Sequence, residues 1–184
     1  MAQANLKEQL VDAATDLFHR QGYNATSVDD IVRGAHVPKG SFYNHFESKE
    51  ALGLEVVRRY AASTPLDLLA EPDVPALDRL RAHLERMVER TVGWGVGRGC
   101  VLGNFATELA SQSPVITAAV RDSFAAWADA LAPVIAELPG QHDPQAVADY
   151  IVNGLEGAYA RAKVIGDRRP LDQFLAVTFA TVLR

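Results

Sequence analysis

The sequence contains very little cysteine and no long apolar stretch. Its single cysteine, Cys100, excludes an internal disulfide and any zinc site built from several cysteines. Lys7, Glu8 and Asp12 interrupt the apolar residues near the start, so we expect no signal peptide. No segment reaches the roughly eighteen uncharged apolar residues that a membrane helix needs. These absences predict a cytoplasmic protein that makes no membrane contact.

The composition is that of a folded domain rather than of a disordered chain. Of its 184 residues, 48% are hydrophobic and 22% are charged, which is enough to bury a core. This length allows one substantial domain, or a small domain joined to a larger one. The formal net charge of −5 argues weakly against nucleic acid as a partner of the whole surface. It does not exclude one, because binding depends on the local distribution of charge.

The hydrophobic pattern predicts helices throughout and no strand. "TSVDDIV" begins a short helix with Thr26 as its N-cap, and Pro38 suits the first turn of the next helix. Ser48 is expected to cap the longer helix that follows. Ser113 and Asp143, each followed by a proline, are expected to cap two later helices, and Pro133 lies inside the first of these. We therefore predict an all-α fold. A small three-helix domain is expected over residues 1–47, followed by a larger helical domain over residues 48–184.

The two short helices around "PKGSFYNHF" have the spacing of a helix-turn-helix, in which the second helix lies in the major groove. Lys39, Gly40 and Ser41 would bring small or polar groups toward the bases and a donor toward the phosphates. Tyr43 lies four residues after Lys39, and its hydroxyl can reach a phosphate. The neighbouring phenylalanines form the inward face. By itself this pattern also fits a small helical hairpin with a solvated lysine.

"TSVDDIVRGAHVPKGSFYNHFESKEAL" closely resembles the N-terminal DNA-binding signature of the TetR family of transcriptional regulators. The similarity extends over roughly residues 6–60 and is long and specific. It implies that Ser27 faces DNA at the start of the first motif helix and that Lys39, Gly40 and Ser41 form the surface that reads the bases. It also implies that Tyr43, His45 and Lys49 contact phosphates. His45 also fits a neutral positioning group packed against the next helix.

The same resemblance implies a larger helical domain that forms a homodimer through its last two helices and encloses a ligand pocket. The residues agree with the dimer. Gly154, Ala158 and Ala162 recur every four residues, which favours close approach of a partner helix. The helix beginning near Pro170 is apolar on nearly all sides, so it must be covered by its own core and by another subunit.

"GRGCVLGNFATELA" places Cys100 at an expected helix start beside Arg98, where the helix dipole lowers a thiol pKa. The segment resembles a GC-x-x-G-N pattern found in one group of TetR-like regulators, some of which respond to electrophiles through cysteine. A small buried cysteine that only packs fits the same residues. Both interpretations of Cys100 stay open at this point.

Candidate ligand-binding residues follow from the implied pocket. Asn104 and Glu108 are four apart and share a helix face, so together they can orient a polar ligand in an apolar cavity. Each candidate also fits an ordinary core position. The full set is Met87, Trp94, Cys100, Asn104, Glu108, Phe124, Trp127, Tyr150, Asn153 and Tyr159.

Motifs of enzymes are missing from the sequence. "GWGVGRG" does not fit G-x-G-x-x-G, and it lacks the lysine and hydroxyl of a phosphate-binding loop. Neither H-E-x-x-H nor the Glu-x-x-His pair of di-iron bundles occurs. We predict a protein that is not an enzyme and uses neither a cofactor nor a metal.

The resemblance implies a ligand-responsive transcriptional regulator whose partners are double-stranded operator DNA and a small-molecule effector. A repressor that the effector releases from its operator is the expected form, with an activator left open. The alternative is a helical ligand-binding or thiol-based electrophile or redox sensor module that acts through protein partners.

Overall fold

The computed structural model describes residues 2–140 and 143–183, and all regular structure within them is helical, as predicted. The α-helices are, in chain order, α1 (Ala2–Gln21), α2 (Val28–Gly34), α3 (Lys39–Tyr43), α4 (Lys49–Ala62), α5 (Ala76–Trp94), α6 (Val101–Leu109), α7 (Pro114–Ile135), α8 (Pro144–Ile165) and α9 (Arg169–Val177). Short 3-10 turns cover Leu66–Leu69 and Val96–Arg98, and a π-helical turn covers Thr178–Val182. Among the described helices, none is both long and apolar enough to cross a bilayer.

The chain divides into two compact units. The first unit consists of Met1–Ala62 and Val101–Arg121, and the second of Ser63–Cys100 and Asp122–Arg184. The first unit therefore contains α4 and α6 in addition to the three helices expected at the N-terminus. The division of function at residues 47 and 48 remains a prediction.

Aromatic residues form the centre of the first unit. The ring of Phe18 on α1 lies 5.1 Å from that of Tyr23 and 5.5 Å from that of Phe105 on α6, measured between centroids. Phe18 and Phe105 are fully or almost fully buried. Such tilted and edge-on pairs add to the stabilisation from apolar burial by about 0.5–1.5 kcal/mol each. Helix α6 is thus part of the core that supports the N-terminal helices.

The N-cap of α2 is Ser27, one residue later than predicted. Ser27 Oγ accepts a hydrogen bond from the Asp30 amide at 3.1 Å, and Asp30 Oδ2 accepts one from the Ser27 amide at 3.0 Å. Thr26 is instead buried and donates its hydroxyl to the carbonyl of Gly22 at 2.7 Å. Asp30, three positions after Ser27, completes a capping box with it, and this is why Ser27 rather than the adjacent Thr26 caps α2.

The other predicted caps are confirmed. Side-chain oxygens of Ser48, Ser113 and Asp143 accept hydrogen bonds from backbone amides two or three residues further on, at 3.0–3.2 Å. Pro133 lies inside α7, as expected from the sequence. Gly166 ends α8 in the left-handed conformation, with φ of 68°.

The core of the second unit is built mainly from aliphatic residues of α5, α8 and α9 and of the later part of α7. Gly154 on α8 faces Phe174 on α9, and a Cβ at position 154 would lie 2.9 Å from Phe174 Cε2. Ala158 and Ala162 are buried within the single chain. The small-residue stripe therefore allows the chain's own α9 to pack closely at Gly154, rather than leaving that position for a partner helix.

Candidate nucleic-acid interface and effector site

The turn between α2 and α3 orients α3 on the first unit. His36, with φ of 55°, breaks the helical path after α2, and Pro38 precedes the first residue of α3. Phe42 is completely buried, and its ring centroid lies 6.0 Å from that of Phe46, which is also buried. These two phenylalanines anchor α3 through one face, so its remaining side chains point outward.

The outward face of α3 carries the residues expected to read DNA. Lys39, Gly40 and Tyr43 are exposed, and Ser41 and His45 are half-buried. Tyr43 exposes 59% of its surface, which is high for an aromatic residue.

Gly40 has no packing neighbour that requires a glycine. A Cβ added there would meet no atom within 4 Å. Because glycine inside a helix costs roughly 0.5–1 kcal/mol relative to alanine, the protein's own packing does not account for it. The open space at Gly40 suits close approach by another molecule.

Lys39 is paired with an acidic residue of α2. Its Nζ lies 2.7 Å from Asp29 Oδ1, and both side chains remain mostly exposed. The hydrogen bond with Asp29 raises the pKa of Lys39. A phosphate that approaches Lys39 must compete with this carboxylate.

Ser27 and Lys49 make contacts inside the protein. The Ser27 hydroxyl donates to Asp30 Oδ2 at 2.6 Å, within the capping box of α2. Lys49 Nζ donates to the carbonyls of Tyr23 and Thr26, both at 2.9 Å, and lies 4.1 Å from the centroid of the Tyr23 ring. Burial lowers the pKa of Lys49.

These internal contacts give both residues a structural role that sequence reasoning missed. The predicted DNA contacts of Ser27 and Lys49 stay predictions. An ammonium group has three donors, and the two carbonyls use two of those of Lys49.

Glu108 lies in the first unit and holds the turn before α2. Its Oε1 accepts a hydrogen bond from the Tyr23 amide at 3.2 Å, and its Oε2 accepts one from the Asn24 amide at 2.9 Å. Gly22 has φ of 88°, and a Cβ there would overlap Glu108 Oε1. The carboxylate thus occupies space that only glycine leaves open.

The placement of Glu108 differs from the ligand-orienting role expected for it. Asn104 and Glu108 both lie on α6 in the first unit, whereas the other candidate ligand residues belong to the second. Both carboxylate oxygens of Glu108 are engaged by backbone amides. Its observed contacts therefore hold the turn before α2, and a contact with ligand stays a prediction.

The second unit brings Cys100 and Tyr159 together with Glu156, a residue that sequence reasoning missed. The Cys100 thiol forms a hydrogen bond with the Glu156 carboxyl group, and Tyr159 interacts electrostatically with both. Burial raises the pKa of Glu156 to about 7, against the opposing effect of the thiol. Glu156 and Tyr159 are three residues apart on α8 and share a face, which is the signal that could have revealed the pair.

Trp127 is held by a buried histidine. Trp127 Nε1 donates to His83 Nε2 at 2.8 Å, and His83 Nδ1 lies 3.0 Å from the carbonyl oxygen of Pro65. His83 is completely buried, and burial lowers its pKa. The two contacts specify a neutral imidazole with its proton on Nδ1, because the indole N–H requires an acceptor at Nε2.

The remaining ligand candidates are scattered over the second unit. Met87 is buried and Phe124 is half-buried, whereas Trp94 is partly exposed and lies 5.0 Å from the Arg90 guanidinium. Tyr150 and Asn153 are exposed on α8. Tyr150 borders a groove of about 340 Å³ between α8 and α9. No metal-binding group of three or more His, Cys, Asp or Glu side chains occurs in the part of the chain that the structure describes.

An anchored α3 with an exposed polar face, placed directly after a short helix and a turn, defines a helix-turn-helix DNA-binding regulator. Residues 10–56 match the family model of bacterial regulatory proteins of the tetR family, and residues 76–178 match that of the tetracyclin repressor-like C-terminal domain. The chain belongs to the TetR family. This membership confirms the family resemblance and the expectation of a DNA-binding regulator rather than an enzyme. Membership in a GC-x-x-G-N group stays a prediction.

Several relatives resemble the chain over most of their length. The HTH-type transcriptional repressor DhaR of Mycobacterium sp. (strain GP1) is 36% identical, over all of this chain and 95% of that protein. The transcriptional regulator AcuR of Cereibacter sphaeroides is 31% identical, over 91% of this chain and 80% of that protein. A crystal structure of regulatory protein TetR from Rhodobacter sphaeroides matches with a TM-score of 0.88 and 30% identity, over 94% of this chain and 96% of that one.

Proposed function

We propose that the protein is a repressor that binds operator DNA as a homodimer and is released by a small-molecule effector bound in the second unit. The outward face of α3 is the observation that carries this proposal. It combines an exposed tyrosine, a lysine and a glycine with open space above it, on a helix anchored by buried Phe42 and Phe46. The similarity to a named repressor over the whole chain supports repression in preference to activation.

Each exposed residue of α3 has a proposed task. Gly40 lets the DNA approach the helix backbone, Ser41 contacts a base edge, and Lys39, Tyr43 and His45 contact phosphates. The internal contacts of Ser27 and Lys49 hold the start of α2 and the turn before it. These two residues consequently affect binding chiefly through the position of the helices.

A dimer is needed to place two such helices in successive major grooves, about 34–36 Å apart. We place the dimer contact on α8 and α9, which carry exposed apolar side chains at Tyr150, Val164, Ile165 and Val177. Exposed apolar groups gathered on two adjacent helices are typical of surfaces that another subunit covers. Operator DNA as the partner implies a cytoplasmic location.

Covalent continuity offers a path for coupling between effector and DNA. Cys100, the last residue before α6, forms a hydrogen bond with Glu156 in the second unit. Helix α6 begins at Val101 in the first unit, and its Glu108 holds the backbone at Tyr23 and Asn24. An effector that changes the position of Cys100 would therefore act on the turn before α2. A hundredfold loss of operator affinity requires only about 2.7 kcal/mol of differential binding.

A gel shift with DNA flanking the protein's own gene tests the proposal. The expected result is a specific complex whose affinity falls steeply with salt, because each phosphate contact releases a counterion. Lys39→Ala should make this salt dependence shallower, whereas Arg58→Ala, which removes an equal charge at an exposed position of α4, should not. Equal affinity for unrelated DNA at every salt concentration would contradict a sequence-specific repressor. Binding of protein partners without DNA would favour the alternative of a sensor module.

A further inference from the structure

Two buried side-chain oxygens of the second unit are exceptional, the phenol oxygen of Tyr159 and Glu156 Oε1. Both are buried, and neither has a hydrogen-bond partner of normal geometry within residues 2–140 and 143–183. Tyr159 exposes only 2% of its surface. Buried polar groups in native proteins are nearly always satisfied, so two unsatisfied oxygens one helical turn apart indicate that another molecule supplies their partners.

Neighbouring side chains define the polar character of this position. The Cys100 thiol lies close enough to the Glu156 carboxyl group to lower its pKa, and the Thr91 hydroxyl does the same for Tyr159. Thr91 of α5, which is buried, lies beside Tyr159. The site therefore consists of a phenol, a carboxyl group and the small polar groups next to them.

Charge restricts what can bind there. The Arg90 guanidinium acts electrostatically on Tyr159, and its Nη1 is fixed by the carbonyl of Ser63 at 2.6 Å. Arg90 disfavours a cation. A ligand N–H that Glu156 accepts stabilises the carboxylate form of Glu156, and a carboxylate repels an anion, so a ligand that donates to Glu156 fits best when it is neutral.

We propose that Glu156 and Tyr159 bind a small neutral molecule that carries a hydrogen-bond acceptor and a donor on adjacent groups, as a primary carboxamide does. The Tyr159 hydroxyl donates to the ligand's carbonyl oxygen, and Glu156 Oε1 accepts its N–H. Cys100 acts as a positioning residue that holds the carboxyl group. This inference rests on the proposed function, because it assigns the ligand class of the effector site in the second unit.

Burial removes the Glu156 carboxyl group from water and raises its pKa to about 7, which favours its protonated form. A ligand N–H directed at Oε1 supplies a further donor, so it stabilises the carboxylate. The phenol of Tyr159 stays neutral because burial raises its pKa further. Its hydroxyl therefore remains available as a donor to the ligand.

The test uses propionamide as the probe and full-length protein labelled with 13C at the tyrosine Cζ. We expect a saturable shift of the Tyr159 resonance by NMR, with a dissociation constant on the order of 1–10 mM for so small a molecule. Propionate, propylammonium and N,N-dimethylpropionamide, which lacks the donor, should bind at least about 5-fold more weakly. Binding of any of these three probes as tight as that of propionamide would overturn the proposal. This comparison uses the native protein alone.

Variants locate the site. Tyr159→Phe should weaken propionamide binding by about 3- to 10-fold, and Glu156→Leu by a similar factor, whereas Glu156→Gln keeps an acceptor and should restore most of it. Asp149→Asn changes an exposed carboxyl group of the same helix and is the matched control. Unchanged binding in folded Tyr159→Phe protein would contradict the assignment. A crystal soaked with propionamide that shows only a water between the two oxygens would do so as well.

Operator binding measured on the same samples separates the two proposals. Operator binding without propionamide binding overturns the ligand class alone. Propionamide binding by protein that recognises no operator overturns the proposed repressor function and leaves the site in place.

Discussion

Glu108 Oε2 lies 2.9 Å from the backbone nitrogen of Asn24, so a carboxylate on α6 accepts a hydrogen bond from the turn that precedes α2. The other oxygen of Glu108 accepts from the next amide toward the N-terminus, that of Tyr23. Lys49 donates to the carbonyl of Tyr23 in the same peptide segment. Side chains from two helices thus fix both the donors and the acceptors of a turn that has no regular structure of its own.

Removal of the Glu108 carboxylate should loosen this turn. We expect Glu108→Ala to lower the free energy of unfolding by about 1.5–3 kcal/mol, because hydrogen bonds to a charged group are stronger than neutral ones. Amide hydrogen exchange should become faster in this variant, chiefly at the amides of Tyr23 and Asn24. Glu85→Ala, at an exposed position of α5, provides the control and should leave the exchange of these amides unchanged. Equal protection of both amides in the two variants would show that Glu108 is not what holds the turn.

Gly22 provides a second test of the same turn through the backbone. Gly22→Ala combines strain at φ of 88° with overlap of the new methyl group and Glu108 Oε1. We expect a loss of stability of about 1–3 kcal/mol, measured by urea unfolding. Gly97→Ala, where a Cβ would meet nothing within 4 Å, should cost less. If Glu108→Ala relieves part of the penalty of Gly22→Ala, the two residues are coupled as the structure indicates.

Asp29 should limit the affinity of the free protein for DNA. Its carboxylate pairs with Lys39, and it adds negative charge where a phosphate must approach. We expect Asp29→Asn to raise affinity for specific and unrelated DNA alike by about 3- to 10-fold at low salt, with a smaller gain at high salt. Glu71→Gln removes the same charge from an exposed loop and should change affinity little. A loss of affinity in Asp29→Asn would mean that Asp29 positions Lys39 for DNA.

Protonation of His83 should destabilise the second unit. Burial lowers the pKa of His83 below its ordinary value of 6.5, so below that pH the unfolded chain binds a proton that the folded chain does not. This difference should reduce the free energy of unfolding by up to about 1.4 kcal/mol per pH unit as pH falls below 6.5. This loss of stability should be absent in His83→Gln. The difference in free energy of unfolding between the native protein and this variant should therefore shift against the native protein as pH falls.

Comparison with His83→Gln is necessary because Glu156 acts in the opposite direction. Its carboxyl group has a pKa raised from 4.5 to about 7, so its contribution to stability falls as pH rises through that interval. Glu156 is present in both proteins, and its effect therefore cancels in their difference. A difference in stability that does not vary between pH 7.5 and 5.5 would rule out a buried neutral imidazole.

The dimer contact can be tested at Val177, which exposes 55% of its surface on α9. Val177→Asp places an unpaired charge where the proposal puts a partner subunit, so the protein should become monomeric in sedimentation at micromolar concentration. Val115→Asp alters a residue that is 53% exposed on α7 and should leave the dimer intact. Dimers of undiminished affinity in Val177→Asp would exclude this part of α9 from the interface.

The sequence predicted those features whose signals are local. Caps at Ser48, Ser113 and Asp143, and the division of "PKGSFYNHF" into a buried and an outward face, depend on residues within one or two helical turns. The single error among the caps, Thr26 in place of Ser27, arose between two adjacent hydroxyls and was decided by Asp30.

Features that depend on distant residues escaped prediction. Glu108 is separated by 84 residues from Asn24, and no local pattern relates a carboxylate on α6 to a turn so far away in the chain. The Trp127–His83 pair and the contact of Cys100 with Glu156 likewise join different elements. Residues chosen as pocket walls for their type alone, such as Trp127, turned out to have specific partners inside the protein.

Binding of an operator fragment by variants of α3 tests most directly whether this protein reads DNA through that helix. Fluorescence anisotropy would compare the native protein, Tyr43→Ala and Ser41→Ala on an operator fragment and on fragments with single base-pair changes. We predict that Tyr43→Ala lowers affinity for all fragments by a similar factor, because a phosphate contact carries no base information. Ser41→Ala should instead alter the preference among fragments. Native affinity and native preference in both variants would contradict DNA recognition by α3.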